Sequence, residues 1–244
     1  MRILVITDIH GNCVALDAVL EHAGAVDAVW CLGDVVGYGP NPNECVERVA
    51  ALPGLLCLLG NHDAAALDML DLNTFNPEAK LSIEWTRDQL TPENLQFLNE
   101  RPQVITVEDA NVTLAHGSPR QPVFEYLLDT RAATENFEHF QTNFCFVGHT
   151  HLPVIFHMPP DAYMSGLSIP PINQVTTLQS RAIINPGSVG QPRDRDPRAA
   201  YALFDPEVGT WDYRRINYPI EETQQRMQAV GLPERHILRL EAGW

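Results

Sequence analysis

The 244-residue sequence predicts an α/β fold whose sheet begins parallel. Three observations carry that prediction. Short β-branched apolar runs alternate with helix-compatible segments in the N-terminal half, and the links between them are short. Hydrophobic residues make up 45% of the chain against 19% charged, enough for a sizeable core. Strand, helix, strand, helix, strand in that order makes right-handed βαβ units.

In order, residues 2–7 read as a buried strand, and residues 13–22 carry Val14, Leu16, Ala18, Val19 and Leu20 at helix-compatible spacing. A second apolar run, 26–32, leads into a turn-rich stretch, 33–42. Residues 44–52 look helical and 54–59 form the third run. The middle, 64–100, lacks strand character; segments 78–90 and 92–100 read as helices, with Pro92 placed at a helix start. Strand signals return at 104–107, 112–115 and 144–147, and again at 154–157, 182–184, 200–204 and 210–216. Residues 159–168, rich in Pro, Gly and Ser, read as a surface excursion. Without an internal repeat or low-complexity linker, one domain over 1–244 is expected.

Net charge is −15, which disfavours generic binding to nucleic acid or anionic lipid. A phosphate-bearing ligand would need local positive charge, and metal ions supply it. Lys80 is the single lysine against fifteen arginines, so Schiff-base and P-loop chemistry is nearly removed. Apolar runs are too short for a signal core or a membrane span. Five cysteines without a C-x-x-C pair fit a reduced, cytoplasmic protein.

The chemistry lies just beyond the end of each apolar run. The first runs into Asp8-Ile9-His10-Gly11, the second into Gly33-Asp34, and the third into Gly60-Asn61-His62-Asp63. Residues 112–115 lead into His116-Gly117, and 144–147 into Gly148-His149-Thr150-His151. Three of these blocks come directly after a glycine that permits a sharp turn. Alone, each His or Asp reads as a turn or capping residue. Together they place two Asp, one Asn and five of the nine histidines beyond strand ends, where open α/β sheets bind ligands. Imidazole, carboxylate and amide oxygen suit Mn, Fe or Zn, and the lack of Cys argues against structural zinc. Seven candidate ligands are too many for one tetrahedral ion and suit two ions sharing a carboxylate, the arrangement that stabilises in-line displacement at phosphorus.

The ordered blocks D-x-H, G-D, G-N-H-D, H-G and G-H-T-H resemble the calcineurin-like metallophosphoesterase superfamily. The stretches 33–40, 116–120 and 185–190 resemble a bacterial metallophosphatase branch. The resemblance implies a four-layer fold, a central β-sandwich flanked by helices, rather than a flat doubly wound sheet. By position it implies Asp8, His10 and His151 on one metal, Asp34 bridging, and Asn61, His116 and His149 on the other. His62 would be the general acid. The implied reaction is hydrolysis of a phosphate ester by attack of metal-bound hydroxide, with no covalent enzyme intermediate.

Protein Ser/Thr phosphatases of the superfamily carry G-D-x-x-D-R-G, whereas residues 33–39 here read Gly-Asp-Val-Val-Gly-Tyr-Gly. A small phosphodiester is therefore favoured over a phosphoprotein, with a phosphomonoester as the alternative. A non-catalytic scaffold would be expected to have lost ligands or the acid, and none is missing; a phosphate- or nucleotide-responsive regulator that binds at the metals and turns over slowly is the other alternative. Arg120 and Arg193 are candidate phosphate contacts, with Arg195 behind them; surface pairing with Glu125, Asp194 or Asp196 is the competing reading. Ser188 lacks a nucleophile-elbow context and reads as structural or as part of a backbone anion contact. Tyr38, Phe124 and Tyr126 read as core or rim packing rather than pocket walls. Oligomeric state is left open.

Overall fold

The computed structural model describes residues 1–179 and 181–244. Alternation along the strands decides where its layers lie. In β1 (Ile3–Ile6), Ile3 and Val5 join one apolar cluster, while Leu4 and Ile6 join another on the opposite face. A strand buried on both faces must be covered on both.

The chain continues through α1 (Cys13–Ala23), β2 (Ala28–Cys31), α2 (Pro42–Ala50), β3 (Leu56–Cys57) and α3 (Asn61–Ala66). Two helices, α4 (Pro77–Gln89) and α5 (Pro92–Asn99), lead to β4 (Val104–Val107), β5 (Val112–Ala115), α6 (Thr130–Asn136) and β6 (Phe144–Phe146). Then come β7 (Pro153–His157), β8 (Gly166–Ser168), β9 (Gln174–Thr177), β10 (Ala182–Pro186), β11 (Ala199–Asp205) and β12 (Thr210–Ile216). The chain closes with α7 (Ile220–Ala229) and α8 (Glu234–Ala242).

Among the described residues the strands form two six-stranded sheets, ordered β3-β2-β1-β11-β12-β9 and β4-β5-β6-β10-β7-β8. Strands β1, β2 and β3 are parallel, as are β5, β6 and β10. The sheets pack face to face over Ile3, Val5, Trp30, Phe146, Ile184, Phe204 and Trp211. Helices α1, α2 and α5 cover the outer face of the first sheet, and α6 with Phe137 and Phe140 covers the second. This is the helix-flanked β-sandwich expected from the resemblance.

Elements with no apolar run escape the sequence reading. β8 and β9 are edge strands with mostly exposed residues, and β8 lies inside the expected surface excursion. α7 and α8 bury a narrow stripe, Met227, Ile237 and Leu240, against Trp85. α3 and α6 are only six and seven residues long. Of the three glycines before the motifs, only Gly33 makes a turn by positive φ, at 99°. Gly60 and Gly148 are glycines for space: a Cβ at Gly60 would strike the Asp34 backbone and carboxylate, and one at Gly148 the Thr7 hydroxyl.

The loop after β5 is pinned by a polar network. Glu125 accepts from Ser118 Oγ (2.5 Å), Asn136 Nδ2 (3.0 Å) and Arg120 Nε (3.2 Å), and a second guanidinium nitrogen of Arg120 completes a fork. Arg120 also reaches Glu135 at 2.8 Å. Burial opposes the charge on Glu125, but hydrogen bonds from Arg120, Ser118 and Asn136 bring its carboxyl from 4.5 down to about 2. A carboxyl depressed by folding contributes stability that is complete above pH 4.5 and is lost as pH falls towards 2. Glu125→Gln should therefore cost about 1–3 kcal/mol at pH 7 and flatten the acid limb of stability, read by urea unfolding at stepped pH. An unchanged acid limb would contradict the network.

Candidate metal centre

The C-terminal ends of three parallel strands of one sheet and two of the other meet at one rim. β1 delivers Asp8 and His10, β2 Asp34, β3 Asn61 and His62, β5 His116, and β6 His149 and His151. All eight side chains are buried. Three groups lie within mutual ligand distance: Asp8 with His10 and His151, His10 with Asp34 and His62, and Asp34 with His116 and His149.

Backbone conformation aims them. Asp8, His10, Asp34, His149 and His151 all adopt left-handed conformations, with φ of 54°, 50°, 53°, 64° and 60°. Such residues cost about 1–3 kcal/mol each and persist only where surroundings impose them. Here the imposition is visible. Asp8 N donates to Gly33 O at 3.1 Å, and His10 N to Asp34 O at 2.9 Å, locking the two strand ends together. The 185–190 loop supports them from behind: Ser188 Oγ and Gly190 N both donate to Asp8 O, at 2.8 and 3.0 Å. Asn185 Nδ2 donates to Gly148 O at 2.6 Å. Ser188 is thus structural.

Carbonyl oxygens only accept, so each ring nitrogen facing one carries the hydrogen. His10 Nδ1 faces Val36 O (3.1 Å), His151 Nδ1 faces Gln191 O (2.5 Å), and His116 Nδ1 faces Leu32 O (2.9 Å). Each therefore turns its Nε2 inward, as a lone pair on His10 and His151, whose rings burial keeps neutral. His149 is reversed: its Nε2 faces Phe124 O at 3.2 Å, leaving Nδ1 for the site. The consequence is a cluster of nitrogens and oxygens turned inward, with the neutral His10 and His151 facing acceptor to acceptor. His10 and His151 oppose Nε2 to Nε2 at 3.1 Å, and His116 Nε2 opposes Asn61 Oδ1 at 3.2 Å. Asp34 Oδ1 accepts from His62 N at 2.8 Å, but Oδ2 is buried without a hydrogen-bond partner among the described residues. It sits 3.5 Å from His10 Nε2 and 3.4 Å from His116 Nε2. A donor set of lone pairs converging on an unpartnered carboxylate oxygen fits cations.

Electrostatics agree. Burial opposes the charge on His116, yet Asp34 pulls the imidazole up to about 9. Burial likewise works against the Asp34 anion, but His116, His62 and His10 hold its carboxyl well below the usual range. Burial pushes Asp8 up to about 7 against the influence of His116. His10 and His151 are driven well below their ordinary value, and His149 to about 3, chiefly by burial. The site disfavours protons on most of its rings and demands positive charge beside Asp34.

A cleft of about 260 Å³ opens onto this rim, with Asn61, His62 and His149 in its wall beside Tyr38, Phe75, Phe124 and Tyr126. The three aromatics expected to be core or rim packing thus line the cleft; residue type alone does not distinguish a pocket wall from a core contact. The Tyr38 ring lies 4.4 Å from His62 and 4.8 Å from His10. Burial lowers His62 to about 4, and its Nδ1 is buried without a partner.

The arginines separate. Arg120 is committed to Glu125 and Glu135, the surface pairing weighed against a phosphate role, so a phosphate would have to displace two carboxylates. Arg193 makes no ion pair among the described residues. It donates to Gln191 Oε1 at 3.0 Å and lies 5.9 Å from the Tyr38 ring, with Nε buried and unpartnered. Arg195 is exposed. Sequence reading missed Asp63, whose carboxylate accepts from Val36 N and Gly60 N, each at 3.0 Å. It also missed the support by Asn185 and Gly190. Asp63 stands inside the G-N-H-D block and was the one findable signal.

Residues 1–209 match the model of the calcineurin-like phosphoesterase superfamily domain. A metallophosphoesterase crystal structure from Sphaerobacter thermophilus is 46% identical and superposes with a TM-score of 0.91, covering 100% of this chain and 99% of that one. An uncharacterized protein of Methanocaldococcus jannaschii is 35% identical over 95% of this chain and 94% of its own length. A symmetrical bis(5′-nucleosyl)-tetraphosphatase of Salmonella paratyphi C is 29% identical over 128 residues, 48% of this chain and 43% of its own. The chain belongs to the calcineurin-like phosphoesterase superfamily and is a hydrolase acting on phosphoester bonds.

Proposed function

We propose that the chain is a dinuclear metal-dependent phosphodiesterase acting on a small phosphate ester. The observation that carries this reading is the buried, unpartnered Asp34 Oδ2 between His10 and His116. Asp8, His10 and His151 would hold one divalent ion, Asn61, His116 and His149 the other, and Asp34 would serve both. Mn, Fe and Zn suit this nitrogen and oxygen set. When bound, the ions supply Lewis acidity towards the phosphoryl oxygens and lower the pKa of water.

The remaining work falls to the chain. His62, on the cleft wall, protonates the leaving oxygen. Its backbone N–H on Asp34 fixes its place, and the Tyr38 and Phe75 rings restrict its orientation. Burial keeps its imidazole neutral at neutral pH; an anionic phosphate alongside favours the imidazolium. Arg193, without a carboxylate partner among the described residues, is the contact proposed for a non-bridging phosphate oxygen. The absent Asp-Arg pair after Gly33-Asp34 supports a small ester over a phosphoprotein, as does the partial likeness to bis(5′-nucleosyl)-tetraphosphatases.

The whole chain acts as one domain in this reading. The C-terminal helices beyond the matched residues support the site, because Thr223 Oγ1 donates to the Asn12 carboxamide that caps α1. A cytoplasmic setting is supported by five buried, unpaired cysteines and by the lack of any described helix long and apolar enough to cross a membrane.

Purified protein loaded with Mn should hydrolyse an aryl phosphodiester faster than the matching monoester, and chelation should abolish turnover. A protein inactive on both esters would instead be a scaffold or a regulator. His62→Ala should retain metal and lose about two to four orders of magnitude in rate on alkyl esters, with a much smaller loss on nitrophenyl esters, whose leaving group needs no proton. Equal losses on both would remove the general-acid role. Asp34→Asn should lower occupancy of both ions together by elemental analysis; normal metal content would disprove the shared carboxylate.

A further inference from the structure

We infer that Phe124 and Tyr126 form a platform that stacks a planar ring carried by the group esterified to the substrate phosphate, and that the Arg120–Glu125 pair positions it. This rests on the phosphoesterase reading above. Both side chains are about half exposed, at 46% and 48%, yet both line the cleft that contains His62 and His149. Large aromatic surface kept wet beside polar catalytic groups is the usual composition of a small-molecule site.

The exposure is enforced. Phe124 O accepts from His149 Nε2 at 3.2 Å, and the Tyr126 ring lies 3.8 Å from the His149 ring. Gly117 N donates to Pro122 O at 2.6 Å, closing the base of the loop. The Ser118–Glu125–Arg120–Asn136 network then holds the segment between the two aromatics. Phe75, 5.4 Å from the His62 ring, gives the cleft a further aromatic wall. A ring stacked here would leave its ester oxygen towards His62. A volume of about 260 Å³ suits one ring with its attached phosphate. A net charge of −15 argues against a polynucleotide carrying that ring. The ring therefore belongs to a nucleoside or a phenol-like alcohol in a small molecule.

Methyl phosphodiesters of benzyl alcohol and cyclohexylmethanol have similar leaving groups and differ in planarity, and a thymidine 5′-ester adds the nucleoside arm. With Mn-loaded wild type, kcat/KM for the benzyl ester should exceed that for the cyclohexylmethyl ester. The ratio should fall about 5- to 100-fold in Phe124→Ala/Tyr126→Ala, the range expected for losing an aromatic stack. Arg120→Gln should lower the same ratio through KM rather than kcat, and Arg120→Lys should restore part of it; a merely structural role would move both esters alike. A thymidine ester better than the benzyl ester assigns a nucleoside, and the reverse order a phenol-like ring. Turnover with an unchanged ratio in the double variant overturns the platform alone. No turnover of any ester overturns the phosphoesterase reading and the platform with it.

Discussion

Asp34 is a buried carboxylate that the protein alone leaves half satisfied. One oxygen accepts the His62 N–H; the other faces imidazole nitrogens at 3.4 and 3.5 Å without a hydrogen bond. Taking such an anion out of water costs several kcal/mol unless positive charge arrives with it. The surrounding residues make sense as the answer to that demand. His10, His151 and His116 each give one nitrogen to a backbone carbonyl and so aim the other inward. Proposed metal ions between them would neutralise Asp34 and relieve the facing acceptors at the same time.

The fold exists around that rim in a specific sense. Two sheets packed over Trp30, Phe146, Phe204 and Trp211 form a base stiff enough to hold five of the proposed ligands in left-handed backbone. Strain of that kind survives only on a well-packed scaffold. Behind the rim the 185–190 loop repeats the theme, with Asn185, Ser188 and Gly190 all bonded to the chain segments carrying Asp8 and His149. In front, the Arg120–Glu125 network fixes the loop that bears Phe124 and Tyr126. The same acidic protein thus uses its carboxylates in two ways: Asp34 in the proposed cation site, and Glu125 matched within the chain.

Much of this was legible in the sequence, because the ligand-type residues come directly after apolar strand runs and need no tertiary knowledge to be placed. The strand ends at Asp8, Asp34, Asn61, His116 and His149 were readable for that reason, and the sandwich architecture came through family resemblance. What stayed hidden has physical causes. Left-handed backbone at Asp8 or His151 leaves no compositional trace, since Asp and His are ordinary in many conformations. Gly60 and Gly148 looked like turn residues, but their lack of a side chain serves close packing. The difference between Arg120 and Arg193 depends on which carboxylates lie nearby in space, and local sequence offered Glu125 and Asp194 equally. Edge strands β8 and β9 and helices α7 and α8 lack an apolar run, so periodicity had nothing to register.

The central claim is that one carboxylate holds two cations together. Anomalous diffraction from crystals grown with Mn, recorded on either side of the Mn absorption edge, addresses it directly. Two peaks about 3.5–4 Å apart, with Asp34 between them and His10 and His116 on opposite sides, are the predicted result. A single peak, or peaks away from Asp34, would contradict the account.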